Sequence, residues 1–284
     1  MKKILALVSI LLVLALAACG GSKEESSQET TNSSEKKSNE VIKVGASSVP
    51  HAQILEQVKP ILEEKGITLK IEEYQDYVLP NQDLASGDLD ANYFQHIPYL
   101  NNQKEELGYD FTSIGGIHIE PIGIYSQNID SVEKIPEGTE VIMSRSVADH
   151  GRILSLLESK GLIELAEGVN KIEATVDDIV KNPKNLEFSA DIDAAFLPDM
   201  YKSEEDALVA INTNYAIQAE LNPMEDSLIL EGDESPYVNV IAVQTEDKEN
   251  KALNTLVDVL HSKEIQDYIV NEFDGAVVPV DGKK

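Results

Sequence analysis

The sequence predicts an α/β fold with more than one sheet. Strand-like and helix-like apolar patterns alternate from Val41 almost to the C-terminus. The first two strand patterns flank a helical stripe, a β-α-β arrangement whose default is a parallel pair with a right-handed crossover. No internal repeat follows Glu40, which sets solenoids aside. In sheets of this kind, ligands settle at the carboxyl ends of strands.

Val41-Ile-Lys-Val-Gly-Ala reads as a buried strand. Ser47, Ser48 and Pro50 turn the chain into a helix over 52–65, where Ile54, Leu55, Val58, Ile61 and Leu62 recur at helical spacing. Pro60 inside this pattern is expected to kink or split it, and Gly66 to stop it. Ile67, Leu69 and Ile71 alternate as in a strand. A short helix over 80–86 opens with Pro80, and residues 87–96 enter another strand. An apolar run over 117–124 is broken by Glu120-Pro121. Val141-Ile-Met-Ser is a strand, followed by a helix over 151–159 that Asp149 could cap and Gly161 ends. Thr175-Val-Asp-Asp resembles a capping box opening a helix over 176–181. Strands are expected over 193–197, 208–212 and 238–244, with terminal helices over 248–260 and 263–272.

The formal charge of −28 makes nucleic acid a poor partner and repels an anionic membrane surface. An apolar content of 42% is enough for a core. The single cysteine, Cys19, excludes an intrachain disulfide. Lys2 and Lys3 precede an apolar run over 4–16, too short for a spanning helix, and Leu16-Ala-Ala-Cys19-Gly follows. This resembles a bacterial lipobox, in which the cysteine is lipidated after removal of residues 1–18; an ordinary signal peptide with an incidental cysteine is the alternative. Residues 20–40 lack apolar side chains, so 19–40 is expected to be a disordered tether.

The chain has only two arginines, Arg145 and Arg152, both in the loop and first turn of the helix after residue 144. A helix N-terminus disfavours a cation unless an anion is bound, and guanidinium grips a carboxylate through two parallel hydrogen bonds. Pairing with one of the 51 acidic residues is the structural alternative. Tyr77, Tyr93, Phe94 and Tyr99 cluster within a chain of 10 Tyr and 5 Phe, and are either core packing or the wall of an apolar slot. His51, His96, His118 and His150 lack the spacing of a zinc motif, and no metal or other cofactor is expected. Asn212, Asn214 and Asn239 end apolar strands as turn residues or as hydrogen-bonders for ammonium and carboxylate. No nucleophile elbow, phosphate loop or dinucleotide fingerprint is present, so the sequence reads as a non-enzyme.

Several motifs are similar to those of the NlpA lipoprotein family: Val44-Gly-Ala-Ser-Ser-Val-Pro-His-Ala, Asp76-Tyr-Val-Leu-Pro-Asn, Asp90-Ala-Asn-Tyr-Phe-Gln-His, His118-Ile-Glu-Pro, Asn212-Thr-Asn-Tyr-Ala and Ser235-Pro-Tyr-Val-Asn-Val. The resemblance covers the body from Val41 to Val280. It implies a two-lobe periplasmic-binding-protein fold of type II, with residues 41–118 and 240–284 in one lobe and 119–239 in the other. It also implies a lipid-anchored, extracytoplasmic receptor that hands methionine to an ABC importer permease. Carried over by motif, Tyr77, Phe94, His96, Tyr99 and His118 would line the thioether slot, Arg152 would hold the carboxylate, and Asn212 and Asn239 would fix the head group. One stretch departs from the pattern. Where the family usually has Asn-Asp-Pro-Thr-Asn, this chain has Arg145-Ser-Val-Ala-Asp149. Asp149 would favour an ammonium, and Arg145 could clamp a second acidic group or bridge the cleft. A methionine-containing dipeptide, another apolar amino acid, and a surface adhesin or sensor on the same fold stay open.

Overall fold

The structure, a computed structural model, describes residues 40–232 and 235–281. The leader, Cys19 and nearly all of the expected tether lie outside the described residues. The first sheet takes β1 (Glu40–Ser47), β2 (Ile67–Tyr74), β3 (Ala91–His96) and β4 (Phe111–Ile119), with α1 (Gln53–Glu64), α2 (Leu79–Ser86) and α3 (Ile97–Leu107) between them. The chain then builds a second sheet from β5 (Gly123–Tyr125) and β6 (Glu140–Ser144). After α4 (Val147–Ser159) and a small antiparallel pair, β7 (Glu164–Leu165) and β8 (Ile179–Lys181), comes β9 (Glu187–Ile192). Next are α5 (Leu197–Ser203), β10 (Leu208–Ile211), α6 (Thr213–Gln218), α7 (Pro223–Asp226) and β11 (Ile229–Leu230). It returns to the first sheet through β12 (Val238–Gln244), α8 (Lys251–Leu260), α9 (Lys263–Phe273) and β13 (Val278–Pro279).

The strand orders are β13-β4-β12-β3-β1-β2 and β11-β5-β10-β6-β9. β1 is parallel to both β2 and β3, whereas β12 runs antiparallel between β3 and β4. That register sets Asn239 of β12 opposite His96 of β3 on one side and His118 of β4 on the other. The second sheet is likewise mixed, with β6 parallel to β9 and β10, and β5 antiparallel to β10. Among the described residues, no helix is long and apolar enough to cross a membrane.

Each sheet has its own core. Ile54, Leu55, Val58 and Leu62 of α1 pack with Leu253, Leu256 and Leu260 of α8 against Ile42 and Val44 of β1. Each such side chain contributes roughly 1.5–3 kcal/mol on full burial. Ile153, Leu154 and Leu157 of α4 join Val141, Met143 and Leu208 in the second core.

Four local expectations are corrected. Pro60 does not split α1, which runs unbroken from Gln53 to Glu64. Pro60 and Glu56, whose carbonyl loses its partner, are both on the exposed face, where water can take that bond. The expected strand over 193–197 is a single 3-10 turn, Ala194–Phe196, because Asp193 accepts from the Ala195 N–H and Pro198 opens α5. The Thr175–Asp178 capping box forms, yet closes only one 3-10 turn before β8. Asp149 lies inside α4, whose N-cap is Ser146, so its carboxylate is not spent on capping. α3 had no expected counterpart. Its cap is His96, whose Nδ1 accepts from the Tyr99 N–H, with Pro98 in the first turn.

Gly151 sets how closely α4 meets the segment beneath it. A Cβ there would lie 2.2 Å from the Lys171 carbonyl oxygen and 2.5 Å from that of Ile172. These are backbone atoms that cannot swing aside. Gly151→Ala is expected to cost about 3 kcal/mol or more in urea unfolding, at or above the upper end of overpacking effects. A cost under about 0.5 kcal/mol would contradict this packing.

Candidate functional site

The second sheet delivers three polar groups to one place. β6 ends at Ser144, α4 starts two residues later, and β10 ends just before Asn212. Asp149 and Arg152 are three apart on α4 and share a face. Arg152 Nη2 donates to Asp149 Oδ1 at 2.9 Å, and both are more than nine-tenths buried. Three further donors converge on that carboxylate: His96 Nε2–H at 3.3 Å, Ser144 Oγ–H at 3.3 Å and Asn212 Nδ2–H at 3.2 Å. The His96 tautomer follows from chemistry. Its Nδ1 accepts from Tyr99, so Nε2 carries the proton and donates to Asp149. Since His96 belongs to β3, Asp149 joins the two sheets.

Burial pushes the Asp149 carboxyl up, but Arg152 and the hydrogen bonds from His96 and Asn212 overcome it and hold it well below the usual carboxylate range. Burial disfavours the Arg152 cation, and Asp149 with Glu231 more than restores it. Glu231 lies 3.6 Å from Arg152 Nη1, and the guanidinium carbon stands 4.8 Å over the Tyr237 ring.

Facing this pair are three rings. Tyr77, Phe94 and Tyr99 pack with centroids 5.9 to 6.1 Å apart, and Ala148 of α4 packs against them. Tyr77 Oη donates to Asn214 Oδ1 at 2.5 Å, another link between sheets. Between rings and charges lies a narrow cavity, part of it open to solvent. Tyr77, Phe94, His96, Tyr99, Asp149, Arg152, Asn212 and Asn239 all line it. Among the described residues, three buried polar atoms on its lining side chains lack a partner: Arg152 Nε, Asn214 Nδ2 and the Asn212 carbonyl oxygen. Two donors and one acceptor therefore stand ready for a ligand that carries both kinds of group.

Two of the sequence candidates lie elsewhere. Arg145 has a 60% exposed side chain, donates to Asp193 at 2.7 Å and lines a separate surface groove beside Val147. His118 is fully buried behind the cavity, between Tyr93 Oη and Glu120. Asn214, a candidate hydrogen-bonder in the sequence, also lines the cavity; sequence reasoning missed Gln95, Glu120 and Thr213 in the lining, and Glu231 and Tyr237 around Arg152. Gln95, Glu120, Thr213 and Tyr237 lie inside the quoted motifs, but nothing else marked them, and nothing marked Glu231.

Asp149→Ala removes the acceptor shared by four donors and leaves a buried guanidinium beside Glu231 alone. It is expected to cost about 3–5 kcal/mol in urea unfolding. Because the folded-state pKa lies below the unfolded value of 3.8, this contribution is fully present above pH 3.8 and is lost only as pH falls through the folded value. The deficit should therefore stay constant from about pH 8 to pH 5. Below about pH 5 it should shrink as the unfolded-state carboxyl takes up a proton first; a deficit that stays constant down to about pH 3 would show a carboxyl whose folded and unfolded pKa values are equal.

Comparison with known proteins adds the lineage. Residues 42–281 match the NlpA lipoprotein family. The methionine-binding lipoprotein MetQ of Bacillus subtilis is 44% identical over 241 residues, 84% of this chain and 88% of that one. A crystal structure of a pheromone cOB1 precursor/lipoprotein of the YaeC family from Enterococcus faecalis superposes with a TM-score of 0.82 at 51% identity, covering 84% of this chain and all of that one. A nutrient-binding protein from Burkholderia cenocepacia bound to methionine gives 0.79 at 39% identity, over 84% of this chain and 99% of that one. A periplasmic substrate-binding protein of an ABC transporter from Coxiella burnetii gives 0.79 at 38% identity, with 84% and 100% covered. The two sheets accordingly form a two-lobe periplasmic-binding-protein fold, and the chain belongs to the NlpA lipoprotein family.

Proposed function

We propose that this chain is the lipid-anchored, extracytoplasmic receptor of an ABC-type amino-acid importer, and that its cavity takes methionine. The observation that carries the reading is the buried Asp149–Arg152 pair facing three rings across one cavity. A zwitterion can lie antiparallel to that pair, its carboxylate on the open edge of Arg152 and its ammonium toward Asp149 and Asn212. The unpartnered Arg152 Nε–H and Asn212 oxygen are the groups such a head group would satisfy. Asn239 closes the head-group end. A thioether then meets Tyr77, Phe94 and Tyr99, where polarisable sulfur against ring edges is favourable. His118 has no contact role here; it lies behind the lining. Arg145 serves the surface pair with Asp193.

Residues 41–118 with 240–284 would form one lobe and 119–239 the other. A ligand that touches both stabilises their closed arrangement over the open one, and the closed form docks on the permease. The role is binding rather than catalysis. Support for methionine comes from the B. subtilis relative's name and the methionine-bound B. cenocepacia neighbour. Support for the importer comes from the C. burnetii neighbour. The lipid would be carried by Cys19.

Titration calorimetry of the full chain with L-methionine tests the reading. Arg152→Ala is expected to weaken binding by about 3–5 kcal/mol by leaving a buried carboxylate unpaired, which is at least about a hundredfold in Kd. A loss under threefold would refute the assigned head-group site. For the anchor, Cys19→Ala should move the chain from the membrane fraction to the soluble one; retention after a carbonate wash would exclude lipidation at Cys19.

A further inference from the structure

Behind the cavity, three side chains from distant parts of the chain converge. His51 precedes α1, His118 lies near the end of β4, and Glu120 follows it by two residues. His118 Nε2 is 2.7 Å and His51 Nε2 is 3.1 Å from the same oxygen, Glu120 Oε1. The three atoms lie within 4.8 Å of one another, and all three residues are buried. We propose that His51, His118 and Glu120 are a binding site for a divalent transition-metal ion of the zinc class, seated in the cavity floor and reached through the cavity.

The donor set carries this furthest. Two imidazoles and one carboxylate are a ligand set that such ions accept with a fourth position left open. The Tyr93 hydroxyl lies 2.5 Å from His118 Nδ1, in the outer position that orients a metal-bound imidazole. When Nε2 turns to the ion, the proton moves to Nδ1 and the hydroxyl accepts it instead of donating. Asn239 Oδ1, 3.1 Å from His51 Nε2, offers a fourth donor atom. Glu120 and Asn239 also line the cavity, which supplies the entry path. A cation there would compensate a carboxylate whose two nearest ring partners carry no charge.

The proposal does not depend on which amino acid the cavity takes, so its test omits amino acids. The full chain, stripped with a chelator, is titrated with zinc chloride by calorimetry and with cobalt(II) by visible absorption. One equivalent of zinc should bind, and cobalt should give the intense bands of a four- or five-coordinate site. His51→Gln and Glu120→Gln, each shown by melting to be folded, should weaken zinc at least about tenfold, no less than outer-shell changes do. If neither variant folds, X-ray absorption on the zinc-loaded wild type decides, with two imidazole nitrogens at about 2.0 Å expected. No binding, binding indifferent to both substitutions, or an all-oxygen shell from surface carboxylates would overturn the site and leave a hydrogen-bonded floor.

Discussion

A guanidinium and a carboxylate, three residues apart at the start of α4 and both shut away from water, set the terms for the rest of this molecule. Each ion alone would be costly to bury, and their mutual attraction offsets that only with good geometry and further hydrogen bonds. The chain provides both. Asp149 sits where the helix N-terminus favours negative charge and receives Ser144 and Asn212 from its own sheet and His96 from the other. A pair of well-packed apolar side chains would serve stability as well or better. We therefore read the pair as kept for recognition, a hypothesis that the binding measurements address.

The opposite wall is built by different means. Tyr77 follows β2, Phe94 lies in β3 and Tyr99 in α3, so three separate segments supply the rings. Their edges meet, and polar tips reach across: Tyr77 to Asn214, and Tyr215 to the Gln75 carbonyl at 3.0 Å. Both bridges run between segments of the two sheets. The overall charge of −28 works against recruiting a free anion, while a zwitterion of zero net charge feels little of that field beyond a screening length of about 8–10 Å. An acidic exterior and an internal dipole are thus compatible with one class of ligand.

Helical and strand periodicity made the two halves of the fold legible, because each element buries one face and the pattern of that face is written in consecutive residues. Reading failed where a single side chain overrode the pattern. His96 caps α3 although histidine is not a usual cap, and Asp193 turns an apolar run into a 3-10 turn. The site was legible only in part for a related reason. Arg145 and Arg152 look alike in sequence, yet one faces solvent and the other lies 6% exposed, since Arg145 sits in the turn before α4 whereas Arg152 lies within α4 and pairs with Asp149. Glu120 was hidden among 51 acidic residues until the fold showed which carboxylates are buried.

The most direct check is a crystal structure of the full chain grown with L-methionine. The account predicts carboxylate oxygens within hydrogen-bonding distance of Arg152, the ammonium on the Asp149 and Asn212 side, and sulfur against Tyr77, Phe94 and Tyr99. A ligand whose carboxylate points away from Arg152, or one bound outside this cavity, would contradict it.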